Sequence, residues 1–246
     1  MKAENSFIFL PGIGEKTEKN YWKSGYTHWD HLKDSGKLNE SKRELLERAE
    51  RNLEVENTVF FKDKMPSNTL WRIYENFTDK VCFFDIETTG LSPERNKTTT
   101  VSFYRNGKSK TLIRGQDLTR ERLEKEFFES KILVSFNGKR FDAPFLEKNF
   151  ELDIQTPHID LMYLYKRIGL TGGLKNIEKQ LNVNRELEDI DGREAVRLWK
   201  KYEKNGDTEA LQKLVRYNQY DAENLKDLME IAVQRLERKV YRPHLK

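Results

Sequence analysis

One apolar run that ends in acids, KVCFFDIE at 80–87, divides the chain into two kinds of hydrophobic pattern. Before it the periodicity is helical. In SKRELLERAERNLEVEN (41–57), Leu45, Leu46, Ala49 and Leu53 share one face, and Ser41 with Glu44 reads as a capping box. In PSNTLWRIYENF (66–77), Leu70, Ile73, Tyr74 and Phe77 predict a second helix, and the first 37 residues predict short helices around turns. From residue 81 strands enter. KVCFFDIE has the unbroken apolar character of a buried central strand. TTTVSFYRNGKSKTLIRG (98–115) alternates around Asn106-Gly107, a strong hairpin signal. LTRERLEKEFFES is helical, KILVSFN is a further buried strand, RFDAPFLEKNF opens a helix, and TPHIDLMYLYKRI runs from strand into helix. Helices fill Leu174 to Lys239, broken at Asn205-Gly206-Asp207. The order predicts an α/β domain with a mixed sheet, over 79–246, preceded by a helical region at 1–78.

Composition narrows the class. The 246 residues, 36% hydrophobic with 14 Phe, 10 Tyr and 4 Trp, supply a packed core rather than a disordered chain. No apolar run reaches the roughly 18 residues of a membrane span, and the opening MKAENSFIFLPG lacks a signal-peptide cleavage pattern, so a cytoplasmic protein without membrane partners is expected. The single cysteine, Cys82, excludes a disulfide framework and reads as core. Charged residues make up 35%, as in heat-adapted proteins. Residues 1–80 balance 14 basic against 14 acidic side chains, whereas IAVQRLERKVYRPHLK (231–246) holds five basic residues and one acid, a surplus of 5 − 1 = +4 that equals the whole net charge. Such a tail suits phosphate, and equally the negative end of a helix dipole.

The candidate chemistry lies in the acids. Asp85 and Glu87 alternate on one strand, so both project from one face. Paired carboxylates there repel and lose hydration unless a cation sits between them. Thr88, Thr89 and Gly90 follow as small residues that let the chain turn and a ligand approach. Asp142 falls in the first turn of a helix after a buried strand. Tyr217 and Asp221, in VRYNQYDAENL, stand one helical turn apart.

Asp85-Ile86-Glu87, then the N…FD of SFNGKRFDAPFL, then the Y…D of YNQYD resemble, over about 81–235, the ribonuclease-H-like 3′–5′ exonucleases of the DnaQ or DEDD superfamily. Tyr217 four before Asp221, with Arg216 at the position five before, matches the tyrosine subtype. HIDLMYLYKRIGLTGGLKNIEKQL and DGREAVRLWKKYEKNGD are further similar to the YprB-like branch. The resemblance implies a ribonuclease-H-like mixed five-stranded sheet flanked by helices. It also implies two divalent cations, Mg²⁺ or Mn²⁺, on Asp85, Glu87, Asp142 and Asp221. Hard oxygen donors suit those ions, which would clamp the attacking and leaving oxygens of a phosphodiester. The expected reaction trims nucleic-acid 3′ ends to nucleoside 5′-monophosphates, with single-stranded DNA favoured and DNA repair as a setting. Tyr217 would orient the attacking water, since a phenol titrating near about 10 is a poor proton acceptor at pH 7. The alternatives are the same chemistry on RNA ends, or a non-catalytic nucleic-acid-binding module. No P-loop or dinucleotide glycine signature supports a nucleotide enzyme of another kind.

Weaker signals complete the reading. FLPGIGEKTEKNYWKSG (9–25) resembles half of a helix-hairpin-helix element, with Gly12 and Gly14 aiming backbone N–H groups at a phosphate and Lys16 adding charge. Phe136, Phe141 and Tyr104 are candidates for stacking on a terminal base, Asn137 and Lys175 for substrate contacts, and Asp160 for support of the ligating acids. His28 and His31, in a stretch rich in Trp and Tyr, read as packing. A protein partner for residues 1–80 is left open.

Overall fold

A computed structural model describes residues 1–184 and 190–245. The piece of the expected helical stretch at 185–189 and Lys246 of the basic tail lie outside the described residues. Strands β1 (Val81–Thr88), β2 (Thr98–Arg105), β3 (Lys108–Ile113), β4 (Ile132–Ser135) and β5 (His158–Asp160) form one mixed sheet in the order β3-β2-β1-β4-β5. β1–β2 and β2–β3 are antiparallel; β1–β4 and β4–β5 are parallel. The β2–β3 turn takes Asn106 and Gly107 at φ +51 and +75, the left-handed pair that a tight hairpin requires.

β1 sends its side chains to two cores. Cys82, Phe84 and Ile86 face Leu123 and Phe127 of α5 (Arg120–Phe128) and Phe145 and Leu146 of α6 (Asp142–Phe150). Val81 and Phe83 face the opposite side. There they join α7 (Leu161–Ile168), α8 (Leu174–Leu181), the 33-residue α10 (Thr208–Val240) and the N-terminal region in one continuous core. A third cluster joins α9 (Gly192–Asn205) to α10. Residues 1–78 therefore pack as a layer against the sheet's α10 face. They hold α1 (Glu15–Lys23), α2 (Trp29–Lys33), α3 (Glu40–Glu54) and α4 (Thr58–Lys64), the last absent from the sequence reading.

Three local expectations need correction. α3 is capped by Asn39, whose side chain accepts from the Lys42 N–H at 3.1 Å, so the Ser41–Glu44 capping box does not form; Asn caps as well as Ser and starts the helix earlier. The segment Ser67–Asn76 is a 3₁₀-helix, not an α-helix: Leu70, Trp71, Arg72, Ile73 and Tyr74 are all buried, leaving no solvent face for a 3.6-residue period to describe. His28 caps α2 by accepting from Asp30 N–H, and His31 is exposed; Trp29 between them does the packing. Phe136 and Tyr104, the stacking candidates, are half-buried, each with one side packed against the main core. Cys82 is buried, as expected, and burial pushes its thiol up to about 12.

Candidate metal centre

Asp85 and Glu87 project from the α10 side of the sheet, and α10 crosses that face. Each of Asp85, Glu87 and Asp221 offers a carboxylate oxygen, and these oxygens lie within 4.8 Å of one another. At Glu87/Thr88 the β1–β2 register slips by one residue, a bulge that ends regular pairing beside the acids. Asp142 comes from the far side of the β4–α6 connection. It is 3% exposed, and its Oδ1 is buried with no hydrogen-bond partner.

The charges act on one another. Asp85's carboxyl is pushed well above the ordinary carboxylate range, by burial first and then by Asp221, Asp142 and Glu87. Asp142 is raised to about 7, chiefly by burial, with Asp160 and Asp221 adding repulsion and nearby N–H groups opposing it. Burying this much like charge without compensation is costly. The donors are all hard oxygens, and the orphaned Asp142 Oδ1 lacks a proton donor. This set fits divalent Mg²⁺ or Mn²⁺ and offers nothing to a thiophilic ion.

Three residues outside the sequence reading shape the site. Asn218, fully buried between Tyr217 and Asp221, donates from Nδ2 to Asp85 Oδ2 at 2.7 Å, while its Oδ1 accepts from Thr100 Oγ1 at 2.9 Å. The threonine fixes which way the amide points, and the amide fixes Asp85. Gly138 is the second: a β-carbon there would come within 2.1 Å of Ser135 Oγ and 3.2 Å of Asp142 Oδ2. Only glycine lets the connection pass so close. Leu91 is the third, 86% exposed on the rim of the neighbouring cleft.

Asp160 acts on the loop that precedes Asp142. Its carboxylate accepts from the N–H groups of Asn137 (2.8 Å), Lys139 (3.1 Å) and Met162 (3.0 Å), tying the loop before Asp142 to the start of α7. Asn137 makes that contact at φ +61, a left-handed conformation that Asn tolerates better than most residues. His158, half-buried against Phe84 and bonded to Ser135 Oγ at 2.7 Å, is held down to about 3 by desolvation and is neutral.

The remaining candidates distribute as follows. Tyr217 is buried in the α9–α10 cluster, and Lys175 stands 5.6 Å over its ring while donating to the Ile190 carbonyl. Thr88 Oγ1 donates to the Gly90 carbonyl at 2.6 Å; Thr89 N–H bonds the Lys97 carbonyl; and Gly90 makes room for the Asn96 side chain, 2.5 Å from where a β-carbon would sit. Phe141 is half-buried and lines a cleft of about 560 Å³ with Glu87, Thr88, Leu91, Arg193 and Val196. Gly12 (φ +74) and Gly14 sit far along the chain from the acids, Gly14 as the N-cap of α1. No described helix is long and apolar enough to cross a membrane.

Comparison with known proteins places this architecture. No curated protein matches the chain in sequence. Among solved structures, Brucella melitensis NrnC bound to pGG is similar at 22% identity and a TM-score of 0.50, over 68% of this chain and 78% of that one. NrnC with bound Mg²⁺ gives 22% and 0.49, over 70% and 81%. The family B DNA polymerase of the hyperthermophilic archaeon Pyrobaculum calidifontis gives 14% and 0.48, over 65% and 29%. At such identities the first likeness speaks to the fold. The RNase_H_2 family model matches residues 82–233, from β1 through most of α10, a span that includes Asp85, Glu87, Asp142 and Asp221. The chain belongs to the RNase_H superfamily.

Proposed function

We propose that this protein is a metal-dependent 3′–5′ exonuclease of the tyrosine subtype, in the YprB-like branch, that shortens nucleic-acid strands to nucleoside 5′-monophosphates. The observation that carries this reading is the meeting of Asp85, Glu87 and Asp221 within 4.8 Å, with buried Asp142 adding its repulsion. Asp85, Glu87, Asp142 and Asp221 would hold two cations. When bound, divalent ions supply Lewis-acid activation of water and neutralise charge on the departing oxygen.

The chain's own residues do the rest. Asn218 holds Asp85 by its Oδ2 and so fixes the carboxylate's orientation. Asp160 pins the loop that presents Asp142. Tyr217 orients the attacking water from α10, one turn before Asp221, with Lys175 bracing its ring. The 560 Å³ cleft beside Glu87 is of ligand size, and its apolar walls, Leu91, Phe141 and Val196, receive the terminal base. Thr88 and Gly90 line that cleft, and Thr89 joins them.

Single-stranded DNA is the proposed polymer. The pGG in the structurally similar NrnC is in keeping with a nucleic-acid ligand. The test feeds the protein 5′-labelled single-stranded DNA and RNA of one sequence with Mn²⁺, Mg²⁺ or EDTA. A metal-dependent ladder shrinking from the 3′ end of DNA is expected. Ladders on RNA alone would transfer the proposal to RNA ends, and intact strands of both kinds under every metal condition would refute it.

A further inference from the structure

Two features of the chain lie outside the acidic cluster: the Pro-Gly-Ile-Gly turn leading into α1, and the basic last segment. They are more than 200 residues apart in sequence, and the fold brings them together. Trp22 of α1 packs edge-on against Tyr241 with ring centroids 5.0 Å apart, and stacks at 6.2 Å on His244. Protonation of His244 is disfavoured first by desolvation and then by the nearby charges of Lys23 and Lys19.

Lys16, Lys19 and Lys23 fall at i, i+3 and i+7, one stripe of α1, while Glu18 and Trp22 point into the core. None of the three lysines has an ion-pair partner among the described residues. The acids nearby are already engaged. Glu15 pairs with Arg167 at 2.5 Å, and Glu18 is buried against Arg72 at 2.7 Å. Glu237 pairs with Arg242 at 3.2 Å.

The stripe is linked to the acidic site by further cations. Lys239 Nζ donates to the Arg167 carbonyl at 2.7 Å, and Arg167 Nη1 donates to the Asn68 carbonyl at 3.3 Å. One residue from Asn68, Ser67 Oγ accepts from Lys139 Nζ at 2.8 Å, and Lys139 belongs to the loop that presents Asp142. Positive groups thus mark a route from the loop at Asp142, past the end of α7, to α1 and the end of α10.

We propose that Lys139, Arg167, Lys239 and the α1 lysines form a phosphate-binding track for the body of the single strand whose 3′ end enters the acidic cleft. The proposal rests on the exonuclease reading for the identity of the strand. α10 rises about 1.5 Å per residue, so its C-terminal end lies about 30 Å from Asp221. A stacked strand advancing about 3.4 Å per nucleotide covers that distance in roughly nine nucleotides. Strands longer than this engage the whole track; a trinucleotide occupies the cleft alone.

The test compares wild type with Lys16→Gln/Lys19→Gln/Lys23→Gln, and with Arg48→Gln/Arg51→Gln on α3 as a charge control. Anisotropy of a 5′-fluorescein DNA 15-mer in EDTA, at several salt concentrations, reads binding without cleavage. The triple variant should bind at least tenfold more weakly at low salt. Its log–log salt slope should be shallower by about 2, since each phosphate contact to a single strand contributes about 0.7. The α3 control should match wild type. With Mn²⁺, kcat/KM on a trinucleotide should stay within twofold, which also shows that the variant is folded. Unchanged 15-mer binding in the triple variant, an equal loss in the control, or an equal loss on the trinucleotide would each overturn the track. Wild type that binds the 15-mer through the track yet cleaves nothing in Mn²⁺ overturns the exonuclease reading instead.

Discussion

Replacing Asp142 by Asn keeps the volume of a 3%-exposed side chain and removes one of the charges the folded protein confines. Asp142's half-titration moves from the ordinary 3.8 to about 7 on folding, which corresponds to about 4 kcal/mol against the charged form above that pH. The cost is absent below about pH 4, where the carboxyl is neutral in both states. It grows as pH rises through 4 to 7, because the unfolded chain releases the proton first, and it is complete above 7. In EDTA at pH 8, Asp142→Asn should therefore melt higher than wild type, by on the order of 10 °C for a chain of this size. At pH 4 the two should melt together. His158, neutral in the fold, destabilises in the opposite direction as pH falls below its unfolded value, but it is present in both proteins and cancels in the difference. Millimolar Mn²⁺ should raise the wild-type melting temperature and narrow or reverse the gap, by mass action on the folded state. Thermal melts of both proteins at pH 4, 6 and 8, with EDTA or Mn²⁺, provide the check. A variant no more stable than wild type at pH 8 in EDTA, or a gap that does not depend on pH, would refute the idea that metal-free Asp142 stores repulsion.

Tyr217→Phe should lower kcat while calorimetry finds Mn²⁺ affinity unchanged; a loss of metal binding would give the tyrosine a ligating role. Asn218→Ala leaves Asp85 Oδ2 without its donor and should weaken Mn²⁺ binding by about 1–3 kcal/mol, whereas Asn218→Asp, which sets a fifth carboxylate 2.7 Å from that oxygen, should be worse at pH 8 than at pH 5. Equal effects of the two substitutions at both pH values would remove Asn218 from the account. Gly138→Ala must push Ser135 or the loop aside and should cost about 1–3 kcal/mol of stability in denaturant melts, with a fall in kcat as Asp142 shifts.

The sheet was legible because its strands advertise themselves locally: the apolar run of β1, the Asn106-Gly107 turn, and the short buried β4. Asp85 and Glu87 were legible for the same reason, since alternation alone puts them on one face. Asp142 carried weight only in company, because a carboxylate in a helix's first turn is ordinary. Asn218 lies inside YNQYD yet is not legible there: its partners, Thr100 and Asp85, lie more than a hundred residues away, and only the crossing of α10 over β1 and β2 brings them to it. Gly138 carries no local signal in the sequence, because the close approach of Ser135 and Asp142 arises only in the folded connection. The 3₁₀ segment at Ser67–Asn76 defeats periodicity because its middle, 69–74, is buried on every side. The residues of the proposed track are scattered in the sequence among the loop before Asp142, α7, α1 and the basic tail, and none of these segments is persuasive alone.

The central claim is that acids from separate segments converge to hold cations. Diffraction from a crystal soaked in Mn²⁺, collected at the manganese absorption edge, tests it without relying on any activity. The account predicts anomalous peaks among Asp85, Glu87 and Asp221, one within ligating distance of Asp142 Oδ1, and their loss in Asp85→Asn. Peaks elsewhere on the surface, with that cluster empty at millimolar metal, would contradict it.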